Sequence, residues 1–481
     1  MQVPTDPAPA STRTLGIPLA YVLMIVAAVA LFFAVRHYGE TLHAAGPATV
    51  AHAPNAASPA LVSHPLLHLL VALAAVILLG RILALLFARI GQPPVIGEVL
   101  AGICLGPSLL GRISPDACEM ILPAAVAPSL SIVAQIGVVL YMFVVGLELN
   151  PGVLRKQGHV TLAISHASII FPFSLGAVLA LWLYPMLSDP NVTFTAFALF
   201  LSVSMSVTAF PVLARVLTDR QMHKTELGVT ALACAAIDDV TAWCLLALVV
   251  GVVQSKVNEA IVVTLLTVAY IALMLLVVRP LVARLLHRYC AGGLTAGVFS
   301  LMLVGMLLSA LATEAIGVHA IFGAFLFGAA VPHDGRIAKE LTERIEGLVT
   351  TLLLPAFFAL VGMRTEIGLV SGWQNWLVCL VIIAVATLGK FGGTWAAARV
   401  VGKEWREAAS LGILMNTRGL MELIVLNIGL DLGVISPTLF AMMVLMALVT
   451  TVATSPILYA LMPHLAASTS LSAEEPIHMN R

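Results

Sequence analysis

Asp238 and Asp239 stand side by side near the middle of an apolar run, Leu227 to Val253, that is long enough to cross a lipid bilayer. An ionised aspartate at bilayer mid-depth costs on the order of 3 kcal/mol or more unless it is paired or wetted. Two carboxylates so placed can hold protons or a cation, and the rest of the chain must compensate for them. Lys390, in Leu388-Gly389-Lys390-Phe391-Gly392, lies equally deep in another apolar run. A buried ammonium calls for a carboxylate, and the two aspartates are the obvious partners; a lysine that snorkels to the surface is the alternative. Neighbouring helical residues diverge by about 100°, so Asp238 and Asp239 cannot both address one atom. A polar pair that merely braces helices is the plainer reading, but it leaves two anions under-compensated.

The segment before the aspartates reads Ser202-Val203-Ser204-Met205-Ser206-Val207-Thr208-Ala209-Phe210-Pro211-Val212. Pro211 cannot donate a backbone hydrogen bond and disfavours helix at Phe210. The hydroxyls of Ser204, Ser206 and Thr208 can stand in for lost backbone partners. Membrane helices do tolerate proline, but the pattern also fits a broken helix whose freed carbonyls coordinate a cation. Met415-Asn416-Thr417-Arg418-Gly419-Leu420-Met421-Glu422 is a comparable interruption, with Arg418 and Glu422 spaced to pair at i,i+4. Glu98, in Pro94-Val95-Ile96-Gly97-Glu98, either faces a water-filled funnel or bonds backbone locally. Gln135, His166, His319 and Glu314 read as satisfied interior or boundary groups, with lining of a path as the alternative.

The elements that must position these groups are apolar helices. The chain is 60% hydrophobic and only 10% charged, against about 25% charged for a soluble protein. That composition means an all-α polytopic membrane protein, and the long unbroken runs exclude a β-barrel. Residues 1–35 form a leader and one membrane helix, and 36–63 an external linker rich in Ala, Pro and His. His37, His43, His52 and His64 read there as solvated groups, with a pH sensor as the alternative. About thirteen spanning segments follow within a membrane domain over 64–463, and 464–481 form a short cytoplasmic tail. Pro332 to Gly347 has room for an interfacial helix with Lys339–Glu343 and Glu340–Arg344 pairs.

With that count, about fifteen Lys and Arg fall in inner loops and only Arg112, Lys256 and Arg364 in outer ones. The bias puts the C-terminus inside. The breaks fall in segments five and twelve, corresponding places if segments one to six and eight to thirteen are repeats, and the odd spacing makes those repeats inverted. The six cysteines show no CxxC spacing, so buried thiols are expected rather than a disulfide framework. Neither G-x-G-x-x-G nor a P-loop is present, so no in-chain nucleotide-binding domain, no cofactor and no nucleic-acid partner is expected.

These residues resemble the monovalent cation:proton antiporters, in the branch with NapA-type and Kef-type transporters and plant cation/H+ exchangers. The resemblance spans roughly Leu66 to Met462. It rests on Gly91-Gln92-Pro93-Pro94-Val95-Ile96-Gly97-Glu98, the run from Ser206 to Arg215, Ile237-Asp238-Asp239, Lys390 in its glycine-rich setting, and Asn416-Thr417-Arg418-Gly419. It implies a thirteen-helix inverted-repeat fold with crossed broken helices, to which this chain adds an N-terminal helix. It also implies a homodimer in the bilayer, moving its core by an elevator motion. Asp239 is then the principal cation ligand and Asp238 the partner of Lys390, with Ser206 and Thr208 in the first break and Asn416 and Thr417 in the second. Arg418, Glu422 and Glu98 are supporting polar groups.

The expected activity is exchange of Na+, or alternatively K+, for H+ by a multi-pass protein of the bacterial inner membrane, without enzymatic chemistry. Either bound ligand permits crossing, and the empty charged site does not, which enforces exchange. A gated cation channel would use similar groups but favours weak, multi-site binding. An organic-solute transporter fits the crowded charged centre poorly. An intramembrane aspartyl protease needs carboxylates from separate helices.

Overall fold

Charge-free runs of Leu, Val, Ala and Ile satisfy their backbone in hydrocarbon as helices, and no strand occurs among the described residues. The computed structural model describes residues 16–44, 65–148, 158–220, 222, 225–254, 257–289, 293–332 and 336–462. The leader, most of the linker with His52 and His64, the tail, Lys256 and Cys290 lie outside the described residues.

Apart from the short helices Leu110–Ile113 and Pro115–Ile121, the helices are α1 Gly16–Gly39, α2 Pro65–Arg89, α3 Pro94–Leu105, α4 Ala127–Glu148, α5 Gly158–Leu187, α6 Phe194–Ser206, α7 Phe210–Asp219 and α8 Glu226–Gln254. After them come α9 Val257–Leu273, α10 Arg279–Tyr289, α11 Ala296–Ile316, α12 Ala320–Ala330, α13 Arg336–Leu348, α14 Leu354–Arg364 and α15 Gly372–Val400. The last three are α16 Trp405–Met415, α17 Leu420–Asp431 and α18 Pro437–Leu461. Eleven helical stretches among the described residues are long and apolar enough to cross a bilayer, and the bent pair α16–α17 raises this to twelve. The shorter apolar helices α6 and α12 occupy the remaining segments. α12 begins only at Ala320, because Gly317 turns the chain at φ +96° and Glu314 accepts from Ala320 N at 2.8 Å.

One expectation needs correcting. The stretch before Gly347 is not a separate interfacial helix: α13 continues through a π turn, Val349–Leu353, into α14. Glu340 pairs with Arg336 at 2.5 Å rather than with Arg344. The Leu294 backbone explains the change, since its N–H donates to Glu340 and its carbonyl accepts from Arg344 at 3.0 Å. The Lys339–Glu343 pair is present at 3.8 Å, and exposed.

Packing separates two bundles. In one, α2 and α3 pack together, α14 lies on α3 and α4, and α12 joins α4 to α11. In the other, α5 packs against α6, α8 and α15, while α16 and α18 close around α15. Each bundle thus takes helices from both halves of the chain, as two interleaved repeats require, and α9–α10 runs between them. α1 lies on α5 and α6, with Phe32 against Phe173 and Tyr21 against His166.

The second bundle is drawn tight where it holds charge. A Cβ at Gly389 would come within 2.7 Å of Pro172 Cα, and one at Gly393 within 2.6 Å of Phe171 Cβ. Their absence lets α15 approach α5 closely enough for Lys390 to reach across. Gly389→Leu should lower the melting temperature in detergent through an overpacking cost of about 1–3 kcal/mol. An unchanged melting curve would contradict the contact.

Candidate functional site

Between α6 and α7 the chain leaves the helix at Val207–Ala209, and between α16 and α17 at Asn416–Gly419. The two breaks cross: Ala209 N donates to Thr417 O at 3.0 Å, and Thr208 Oγ1 to Met415 O at 3.4 Å. In a continuous helix the N–H groups of residues 208, 209 and 210 would bond the carbonyls of Ser204, Met205 and Ser206. Those three carbonyls are freed, and cations take them. Arg418 donates to Ser204 O at 3.3 Å and to Met205 O at 2.8 Å, and Lys390 Nζ to Ser206 O at 2.5 Å. The hydroxyls of Ser204 and Ser206 do not replace the lost partners. They bond back to Phe200 O and Ser202 O one turn earlier in the same helix. Ser206 therefore contributes its carbonyl to the centre, not its side chain.

Asp238 and Asp239, adjacent on α8, have opposite environments. Asp238 is fully buried and accepts four hydrogen bonds: from Ser165 at 2.6 Å, Ser168 at 2.5 Å, Thr208 at 2.8 Å and Lys390 at 3.0 Å. Asp239 is 1% exposed, and neither of its oxygens has a hydrogen-bond partner. Asn416 Oδ1 and Thr417 Oγ1, on the second break, are also buried without partners. The roughly 100° between neighbouring residues allows this contrast: Asp238 bonds α5, α15 and the first break, and Asp239 bonds none of them.

Arg418 also meets Glu422 at 3.2 Å, both side chains fully buried. Glu422 sits in the first turn of α17, where a helix N-terminus favours an anion. The cation lies at the C-terminal end of α6, where a helix favours a positive charge. Thr451 of α18 completes the second break, accepting from Arg418 N at 3.0 Å and donating to Arg418 O at 2.7 Å.

The family model described as sodium/hydrogen exchanger, transmembrane, matches residues 73–460. The chain belongs to the monovalent cation:proton antiporters. It is 45% identical over 404 residues to the Na+/H+ antiporter NhaS4 of Synechocystis sp., covering 83% of this chain and 98% of that one. To cation/H+ antiporter 20 of Arabidopsis thaliana it is 39% identical over 82% of its length, and to K+/H+ antiporter 1 of Saccharomyces cerevisiae 33% over 82%. The antiporter chain spans about half the length of those two relatives, 48% and 46%. Among solved structures, the sodium proton antiporter MjNhaP1 of Methanocaldococcus jannaschii superposes with a TM-score of 0.61. That match covers 84% of this antiporter and 99% of that chain, at 17% identity, and shows the shared fold.

The antiporter's remaining candidates lie elsewhere. Glu98 lines a small cavity with Arg81 and Pro355 inside the first bundle and bonds neither aspartate. Gln135 bonds Ser131, His166 bonds Leu162 O, and Glu314 bonds Ala320 N, while His319 Nδ1 has no partner. Ser165, Ser168 and Thr451 escape a reading of the sequence, because a lone hydroxyl in an apolar helix has no spacing signal.

Removing one member of a fully buried ion pair strands the other. Arg418→Met should cost the antiporter about 3–5 kcal/mol, read as a drop in detergent melting temperature. Adding Glu422→Gln should recover part of the loss. A single variant as stable as the parent would contradict the pairing and its carbonyl contacts.

Proposed function

We propose that this chain is a secondary antiporter in which Asp239 binds either a proton or a monovalent cation, Na+ in the first instance and K+ as the alternative. The observation that carries the reading is the buried Asp239 carboxylate with no partner. A carboxylate stripped of water and hydrogen bonds is too costly to stay bare and charged, so it holds one ligand or the other. Competition for one carboxylate is exchange. Asn416 and Thr417 supply neutral oxygens on the second break. One carboxylate with neutral donors suits a monovalent ion, whereas divalent sites gather more charge. The relatives NhaS4, a Na+/H+ antiporter, and the yeast K+/H+ antiporter support both cations.

The two-bundle packing supports alternating access in which the bundle with both breaks moves against the other by an elevator motion. Only separable contacts should then bridge the bundles. Arg364 at the end of α14 meets Asp431 at 2.7 Å and Asn427 at 3.0 Å on α17. Gln92 donates to Val452 O of α18 at 3.1 Å. A partly exposed ion pair is worth about 0–1 kcal/mol, weak enough to break in every cycle. The first bundle then forms the stationary homodimer contact. The loop-charge bias supports a cytoplasmic C-terminus in a bacterial inner membrane.

In proteoliposomes, Asp239→Asn should abolish cation-driven proton flux, and near-normal flux would overturn the assignment. Pairing Arg364→Cys with Asp431→Cys tests the motion separately. A bis-methanethiosulfonate crosslinker joining the two cysteines should stop transport, and reduction should restore it; transport that continues through the crosslink would overturn the elevator.

A further inference from the structure

We propose that Ser165 and Ser168 clamp Asp238 as the permanent partner of Lys390, so that Asp239 alone changes ligand and each cation is traded for one proton with no net charge moved. The inference rests on the exchange reading above and adds its stoichiometry.

Ser165 and Ser168 are spaced i,i+3 and share one face of α5. Both are fully buried, and each aims its hydroxyl at Asp238, one at each carboxylate oxygen. Serine and threonine in helices commonly bond back to the carbonyl four residues earlier. Ser204, Ser206 and Thr394 of the same bundle do so. Ser165 and Ser168 instead serve the aspartate; the same helix also accepts the Ser206 hydroxyl at Ile169 O, 3.1 Å, and Ser168 takes a bond from Lys390 Nζ at 3.5 Å. With Thr208 and Lys390 they bring four donors to a group that has about four acceptor positions. Hydrogen bonds to a carboxylate paired with an ammonium are the strong kind, so this shell holds Asp238 firmly beside Lys390. Three of the donors meet at Oδ2 and one at Oδ1, so a proton or cation arriving at Oδ2 must displace donors. Asp239 has none to displace.

The charges follow directly. Asp238 with Lys390 is neutral, and so is Glu422 with Arg418. Asp239 is neutral whether it carries a proton or a monovalent cation. Both loaded forms of the moving bundle therefore have the same net charge, and a membrane potential does no work on the cycle. Were Asp238 to leave Lys390 and take a proton of its own, a second proton would travel per cation and current would flow.

Ser165 and Ser168 are positioning residues, and their signature is stoichiometry rather than rate. The full chain is reconstituted in vesicles with thiocyanate equal on both sides to hold the voltage near zero. Proton flux is then followed against opposing pH and cation gradients, first with Na+ and then with K+. For the native protein, net flux should vanish where the proton gradient equals the cation gradient in fold. A null at the square root of the cation gradient, the value for two protons per cation, would overturn the proposal while leaving exchange intact. The variant Ser165→Ala/Ser168→Ala should move the null towards that smaller proton gradient, and Ser165→Thr/Ser168→Thr should keep it at the matched one. An alanine pair that exchanges at the native null would overturn the clamp. If the alanine pair fails to fold, the native null point still decides the stoichiometry. Proton flux that no cation drives would instead overturn the exchange reading itself.

Discussion

Three carbonyls set free inside a membrane govern this structure. Unpaired backbone groups cannot remain bare in hydrocarbon, and the break after Ser206 exposes Ser204, Met205 and Ser206 at once. Lys390 and Arg418 answer them. Each cation, once buried, needs a carboxylate, which assigns Asp238 to Lys390 and Glu422 to Arg418. Both cations are then paired, and Asp239 is the carboxylate of the centre with neither oxygen bonded. The glycines on α15, the serines on α5 and the crossing of the two breaks all follow from bringing these charges within bonding distance.

That arrangement separates structural cost from working charge. Charges answered by a partner hold the second bundle together, and Asp239 is the one left unanswered. The bundle's interior contacts are dense and buried, whereas Arg364–Asp431 and Gln92–Val452 bridge to the other bundle near its rim. The proposed elevator motion needs this contrast between firm interior pairs and weak peripheral ones.

Much of this could be read from residue types. Long apolar runs fixed where helices lie, because hydrocarbon leaves the backbone few choices. Pro211 and the Asn416–Gly419 stretch marked both interruptions. Helical geometry required Asp238 and Asp239 to face different neighbours, although which of them meets the lysine came only with the family resemblance. Other features depend on how helices cross. Nothing in the sequence connects Ser165 or Ser168 to a residue some seventy positions away, or Arg418 to carbonyls more than two hundred positions earlier. The continuity of α13 with α14 was hidden by the charges of α13. Those charges mark one wet face of a long helix rather than a separate element.

The central claim is that a proton and a cation compete for Asp239. Calorimetric titration of the purified protein with Na+ and with K+, repeated in buffers of different ionisation enthalpy, measures the protons released as cation binds. Competition predicts that binding releases a proton and that Asp239→Asn loses both the binding and the release. Cation binding with no proton released, or release that persists in Asp239→Asn, would contradict it.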